Sequence, residues 1–243
     1  MPSPVLVCRI FLSREPERIA PVKDFSCTGS HLLWMAGELT ERCLEEWTDG
    51  LSTADAVLSV FSHVRDIPYT AIPGMSDPVA GPDLLLSIGR GSCTPKHTLL
   101  GQMLGMLGIP VRYASFRFCW HDAPIPFPIE LRRQAGSLPI VYHMAIRAFL
   151  NGRWTLLDAT WDSPLQEAGF PVNNRWDGIS DCLLAIVPLV FEDGSTEIIH
   201  DSMQERDMYY QVRATGYQVE EVVLLNLFYQ DLNAWLDRIR ELP

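Results

Sequence analysis

Apolar residues recur along this chain at two spacings, and the change from one to the other marks its elements. Ala56, Val57, Val60, Phe61 and Val64 come three and four apart and fall on one stripe of a helix. Ser52 can cap its start, with Asp55 three residues on, and Pro68 stops it. A second stripe of Leu99, Leu100, Met103, Leu104 and Leu107 predicts a helix opening at 92–95, capped by Gly108 and barred from continuing by Pro110. Residues 31–47 read as a further helix closed by Asp49 and Gly50, and 219–242 as a long amphipathic one. Alternation takes over at 111–120, which predicts a strand. Strands are also expected at 5–12 and 183–190, and a turn-rich loop at 75–82. Residues 121–139 hold Pro124, Pro126, Pro128 and Pro139 and form an unusually long connection. Connections of that length often serve a function, and this one is expected to border a substrate groove.

The segments 141–150 and 153–160 flank Asn151-Gly152, the dipeptide of a two-residue hairpin loop. Such a loop pairs Leu150 with Arg153, and the rest of the register follows. Ala145 faces Asp158, and His143 faces Thr160. Cross-strand partners share a face that repeats every second residue, so His143, Ala145 and Phe149 lie with Trp154, Leu156 and Asp158. His143 and Asp158 become diagonal neighbours, with Cα atoms roughly 7–8 Å apart, and the small Ala145 leaves room between them. Phe149 against Trp154 helps to hold this register. A slip of one residue would send His143 and Asp158 to opposite faces.

The composition, 47% apolar and 20% charged, is that of a globular protein, and 243 residues suit a single elaborated domain, expected to be α+β. The net charge of −11 disfavours nucleic acid as a partner, and no polybasic stretch offers a hold on a membrane surface. The acidic end of the chain, with eleven carboxylates against four arginines over 191–243, reads as a solvated helical surface. No leader is read at the start, and no run approaches the ~18 apolar residues of a membrane span. The six cysteines (Cys8, Cys27, Cys43, Cys93, Cys119 and Cys182) form no CxxC pair. That pattern suggests no metal site, cofactor or disulfide framework, and fits a reducing, cytoplasmic location.

Among these cysteines Cys93 has a distinctive setting. It stands where a helix begins, after Gly89 and Gly91, with Ser92 able to cap and Pro95 in the first turn. Unpaired backbone N–H groups and the helix dipole favour a thiolate there, and the thiolate is the attacking form. The Cys93 N–H could also face the oxygen of a tetrahedral intermediate, and the glycines would let a substrate backbone approach. His143 is the candidate acid and base, and Asp158 the group that orients it.

Gly89-Arg90-Gly91-Ser92-Cys93, Leu99-Leu100 and Leu107-Gly108-Ile109-Pro110-Val111-Arg112 together resemble the core of the transglutaminase-like superfamily. So do His143, Asn151-Gly152-Arg153-Trp154 and Leu157-Asp158-Ala159-Thr160-Trp161, and upstream Val64-Arg65-Asp66 with Ile67-Pro68-Tyr69. The resemblance covers 51–165 and implies a papain-like α+β core, in which a helix bearing the nucleophilic cysteine packs on an antiparallel sheet bearing histidine and aspartate. The chain 1–243 then reads as one elaborated domain, with 1–50 and 166–243 as flanking additions. The implied roles are Cys93 as nucleophile, His143 as base and acid, and Asp158 as orienter. The implied activity is hydrolysis of an amide or peptide bond through an acyl-thioester, on a peptide, protein or small amide. Acyl transfer to an amine and a binding domain that kept the fold are the alternatives, and the oligomeric state stays open. Zinc on Cys93, His97 and His143 lacks a supporting spacing. His97 departs from the small residue usual in the family; one turn after Cys93 and on the same helix face, it could crowd the dyad or lend it a polar contact, but is expected at the surface or in packing. Trp34, Trp47 and Gln102 are chemical candidates for a further oxyanion donor.

Overall fold

The structure is a computed structural model that describes residues 37–72, 75, 77–214 and 216–241. The strand expected at 5–12 and the candidate Trp34 lie outside the described residues. The helices are α1 (Glu38–Thr48), α2 (Thr53–Asp66), α3 (Gly81–Ile88), α4 (Cys93–Met106), α5 (Ile129–Ala135), α6 (Met203–Ala214) and α7 (Val219–Arg240). The strands are β1 (Val111–Phe118), β2 (Val141–Leu150), β3 (Arg153–Leu157) and β4 (Ile198–His200), in one antiparallel sheet of order β3-β2-β1-β4. The architecture is therefore α+β, as expected. No helix among the described residues is long and apolar enough to cross a membrane.

Local chemistry accounts for several boundaries. Ser52 accepts a hydrogen bond from the Asp55 N–H at 3.2 Å and starts α2. Asn151 and Gly152, at φ 50° and 80°, close the hairpin in the left-handed conformation that suits this turn. The observed register is the one the loop dictates, from Leu150↔Arg153 through Phe149↔Trp154 to Ile146↔Leu157. β3 stops at Leu157, so Asp158 leaves the ladder just past its end.

Both faces of the sheet are covered, which explains why β2 is buried along most of its length. Tyr113, Met144, Ile146 and Leu157 pack with Val60, Phe61, Leu100 and Met103 of α2 and α4. Phe116, Phe118, Ala145 and Leu156 pack with Leu131 of α5 and Phe228, Leu232 and Leu236 of α7. The acidic C-terminal helix is thus half of a core as well as a solvated surface.

Three expectations change. Residues 183–190 form no strand. Asn173 Oδ1 takes the Leu183 N–H at 2.9 Å, Asp158 Oδ2 takes that of Ala185 at 2.8 Å, and Pro188 has none to give. β1 pairs with β2 on one side and with β4 on the other, and the Leu189 N–H gives it a single bond, to Arg117 O at 2.8 Å. The stretch 121–139 contains α5 and is packed inward, with Ile125, Phe127 and Leu131 buried. Phe127 meets Phe228 and Trp235 of α7 at ring distances of 5.9 and 5.7 Å. Finally, α3 occupies part of the turn-rich region, with Pro82 tolerated in its first turn.

Candidate active site

Cys93 is the first residue of α4 and is partly exposed. Ser92 makes no side-chain cap bond, so the first-turn N–H groups are not consumed by it. Gly91 serves a different need from the one expected. Its N–H donates to Pro68 O at 3.1 Å and its carbonyl accepts from Thr70 N–H at 3.0 Å. A Cβ there would come within 2.6 Å of Leu85 Cδ1 and 3.2 Å of Pro95 Cγ. Gly91 therefore lets the chain's own segments close around the helix start, and the close approach is internal.

His143 projects from β2 opposite Phe116 and is 2% exposed. Its Nε2 meets Asp158 Oδ2 at 2.8 Å, which leaves Nδ1 for Cys93. Asp158, also 2% exposed, is fully engaged. Oδ2 also accepts from Ala185 N–H, while Oδ1 accepts from Thr160 N–H at 3.1 Å and Thr160 Oγ1 at 2.6 Å. Burial alone would neutralise this carboxyl, but the His143 charge and hydrogen bond, with His97 and Thr160, hold it well below the usual carboxylate range. Burial likewise opposes charge on His143, yet Asp158 and then Cys93 push it up to about 10. For Cys93, burial raises the thiol, but His143 and the Met144 backbone N–H bring it below its ordinary value. The arrangement favours a thiolate facing an imidazolium.

These groups open on a cleft of ≈ 260 Å³ walled by Tyr69, Phe118, Trp120, Tyr142, Trp161 and Tyr229. The wall expected from 121–139 comes from α7 instead, through Asn226 and Tyr229. The reason is the inward packing of Phe127. Trp47 stacks on His63 at 4.6 Å, and Gln102 donates to Pro78 O at 2.8 Å, so neither lines the cleft. The cleft's aromatic residues gave no sequence signal that set them apart from core residues.

Two residues next to the thiol have larger parts than their sequence positions suggest. Lys96 is 0% exposed and donates to the carbonyls of Arg65, Ile67 and Thr160 at 2.8, 2.7 and 2.8 Å. It joins the end of α2 to the segment after Asp158, and burial pulls its ammonium down to about 7. His97 is likewise 0% exposed, which rules out a surface role. Its Nδ1 lies 2.8 Å from Cys93 O and its Nε2 accepts from Ala159 N–H at 2.9 Å. Both nitrogens are thus taken, against zinc on Cys93, His97 and His143. Elsewhere the ligand atoms of Cys119, His121 and Asp122 lie within 4.8 Å of one another on an exposed turn.

The wall on α7 is anchored by Arg240. Its Nε and Nη2 reach Asp162 Oδ2 and Oδ1, each at 2.7 Å, and Nη2 also donates to Tyr69 O at 2.9 Å. Asp162, 0% exposed, accepts from Tyr69 N–H at 2.9 Å as well.

No protein-family model matches the chain, and no curated protein matches it either. Solved structures are similar over about half of it. A candidate cysteine protease from Cytophaga hutchinsonii is 19% identical, with 53% of this chain and 39% of that one covered and a TM-score of 0.37. A candidate protease from Parabacteroides distasonis is 18% identical, with 50% and 23% covered and a TM-score of 0.33. A structure named as a TGase is 15% identical, with 52% and 32% covered and a TM-score of 0.36. The chain thus spans well under two thirds of the length of each of these structures, and the likeness is one of fold.

Proposed function

We propose that this chain is a thiol-dependent hydrolase of amide or peptide bonds, with Cys93 as nucleophile, His143 as acid and base, and Asp158 as its orienter. The observation that carries the reading is the 2.8 Å bond between His143 Nε2 and a saturated, charged Asp158, beside a cysteine at a helix start. The thiolate attacks the carbonyl carbon, and the developing oxyanion faces the N–H groups of the α4 start. His143 delivers its Nδ1 proton to the leaving amine as the C–N bond breaks, giving an acyl-thioester. Neutral His143 then takes a proton from water. The hydroxide displaces the sulfur, and the acid product leaves with the thiolate–imidazolium pair restored. Asp158 keeps Nε2 protonated throughout and the ring in one plane. The substrate would be a peptide, a protein or a small amide.

The test is an activity-based thiol probe followed by a panel of amide and peptide substrates, each with and without a primary amine. Labelling at Cys93 and release of free acid support the reading, and C93A should abolish both. Amine conjugates as the main product would point to acyl transfer. No labelling of Cys93 in folded protein would sink both.

A further inference from the structure

We propose that His97 is a positioning residue for Cys93: its uncharged imidazole, with the proton on Nδ1, ties the Cys93 carbonyl to the Ala159 backbone and holds the thiol-bearing turn against the Asp158–His143 pair. The inference rests on the reading of Cys93 as the nucleophile. The tautomer follows from the partners alone. A carbonyl can only accept, so Nδ1 at 2.8 Å from Cys93 O must carry hydrogen. A backbone N–H can only donate, so Nε2 at 2.9 Å from Ala159 N must present its lone pair. One ring thereby bridges the first turn of α4 and the residue after Asp158.

The charged groups around the ring agree with a neutral role. Asp158 Oδ1 lies 3.6 Å from Nε2, the His143 ring is 5.9 Å away edge-on, and Lys96 is the preceding residue. Burial is the strongest influence and opposes a charge on His97, Asp158 favours one, and His143 and Lys96 oppose it. The result is a group lowered to about 4. A proton on Nε2 would break the bond from Ala159 and set His97 against His143 for the same carboxylate. An apolar residue of similar volume would fill the space but release the bridge. The start of α4 would then keep its bond from Lys96 to Thr160 O but lose the direct tie from the Cys93 carbonyl to the residue after Asp158.

Two measurements test this. In native protein labelled with 15N-histidine, His97 should appear as the Nδ1–H tautomer at every pH from 5 to 9, with coupling across the bond from Ala159 N–H to Nε2. Absence of that coupling, or titration of His97 within that range, overturns the proposal without any variant. The second is the pH dependence of Cys93 alkylation by iodoacetamide in folded protein. H97L should raise the thiolate pKa by about one unit, which moves the whole rate profile toward alkaline pH and slows alkylation by roughly tenfold below the native midpoint. H97Q, whose amide can still accept from Ala159, should stay within about threefold of native. An H97L value equal to native overturns the positioning role and leaves Cys93 reactive. A native Cys93 that titrates as an ordinary thiol overturns the thiol-enzyme reading first.

Discussion

Replacing Asp158 with asparagine is the sharpest perturbation, because the carboxylate accepts from four donors and carries the charge that faces His143. An amide supplies one oxygen and one NH2. With NH2 at the Oδ2 position it meets the Ala185 N–H, and at Oδ1 it meets the Thr160 N–H. Either orientation leaves at least one buried donor unpaired, at about 1–3 kcal/mol. The electrostatic consequence is larger for function. Two effects on the thiol oppose each other, since the Asp158 charge itself disfavours a thiolate while the His143 charge that it sustains favours one. His143 is the stronger of the two on Cys93, so D158N should raise the thiol. With an ordinary thiol value near 8.5, about 3% is ionised at pH 7, and the native thiol lies below its ordinary value. Alkylation of Cys93 at pH 7 should therefore slow, by at most about 30-fold, with the difference closing above about pH 9. The assay is iodoacetamide labelling of folded protein across pH, read by mass spectrometry at Cys93. An unchanged rate at pH 7 in folded D158N would refute the idea that Asp158 acts through His143 on the thiol.

Further outcomes follow from other residues. Cys93 should label well ahead of Cys43, Cys119 and Cys182, whose thiols are raised chiefly by burial, Cys182 to about 12; equal labelling of Cys119 would count against activation of Cys93. R240A strands the buried Asp162 charge and should cost about 3–5 kcal/mol in urea unfolding, with the D162N/R240M pair recovering part of it; a loss under about 1 kcal/mol would show that the anchor of α7 lies elsewhere. Two groups give stability opposite slopes in alkaline solution. His143, raised to about 10, contributes stability that is full below about 6.5 and lost as the pH climbs through 10. Lys96, lowered to about 7, penalises the fold while charged in both states, and that penalty lifts between about 7 and 10.4. K96M removes the second effect, so its urea midpoint should fall more steeply than that of native protein between pH 7 and 9. Parallel slopes would mean that Lys96 keeps an ordinary affinity for its proton.

What the sequence determined by itself was local or periodic. The Asn151-Gly152 loop admits one register, which runs from Leu150↔Arg153 to Ile146↔Leu157 and brings Asp158, the next residue, to the side of the sheet that carries His143. Ser52 and the apolar stripe of α2 likewise depend on neighbours a turn away. Tertiary structure decided everything that required knowing which surface meets which. Residues 183–190 carry strand-like residues, yet side chains of Asn173 and Asp158 capture the N–H groups of Leu183 and Ala185, and the bond from Leu189 to β1 stands alone. Residues 121–139 look like an open loop, but Phe127 finds apolar partners on α7, a hundred residues away in the chain. That pairing turns the loop inward and leaves α7 to wall the cleft. Lys96 and His97 sit on a helix face that spacing alone could place toward solvent. Only the packing of α4 between α2 and the sheet buries them, where the carbonyls of Arg65, Ile67 and Thr160 and the N–H of Ala159 must find partners.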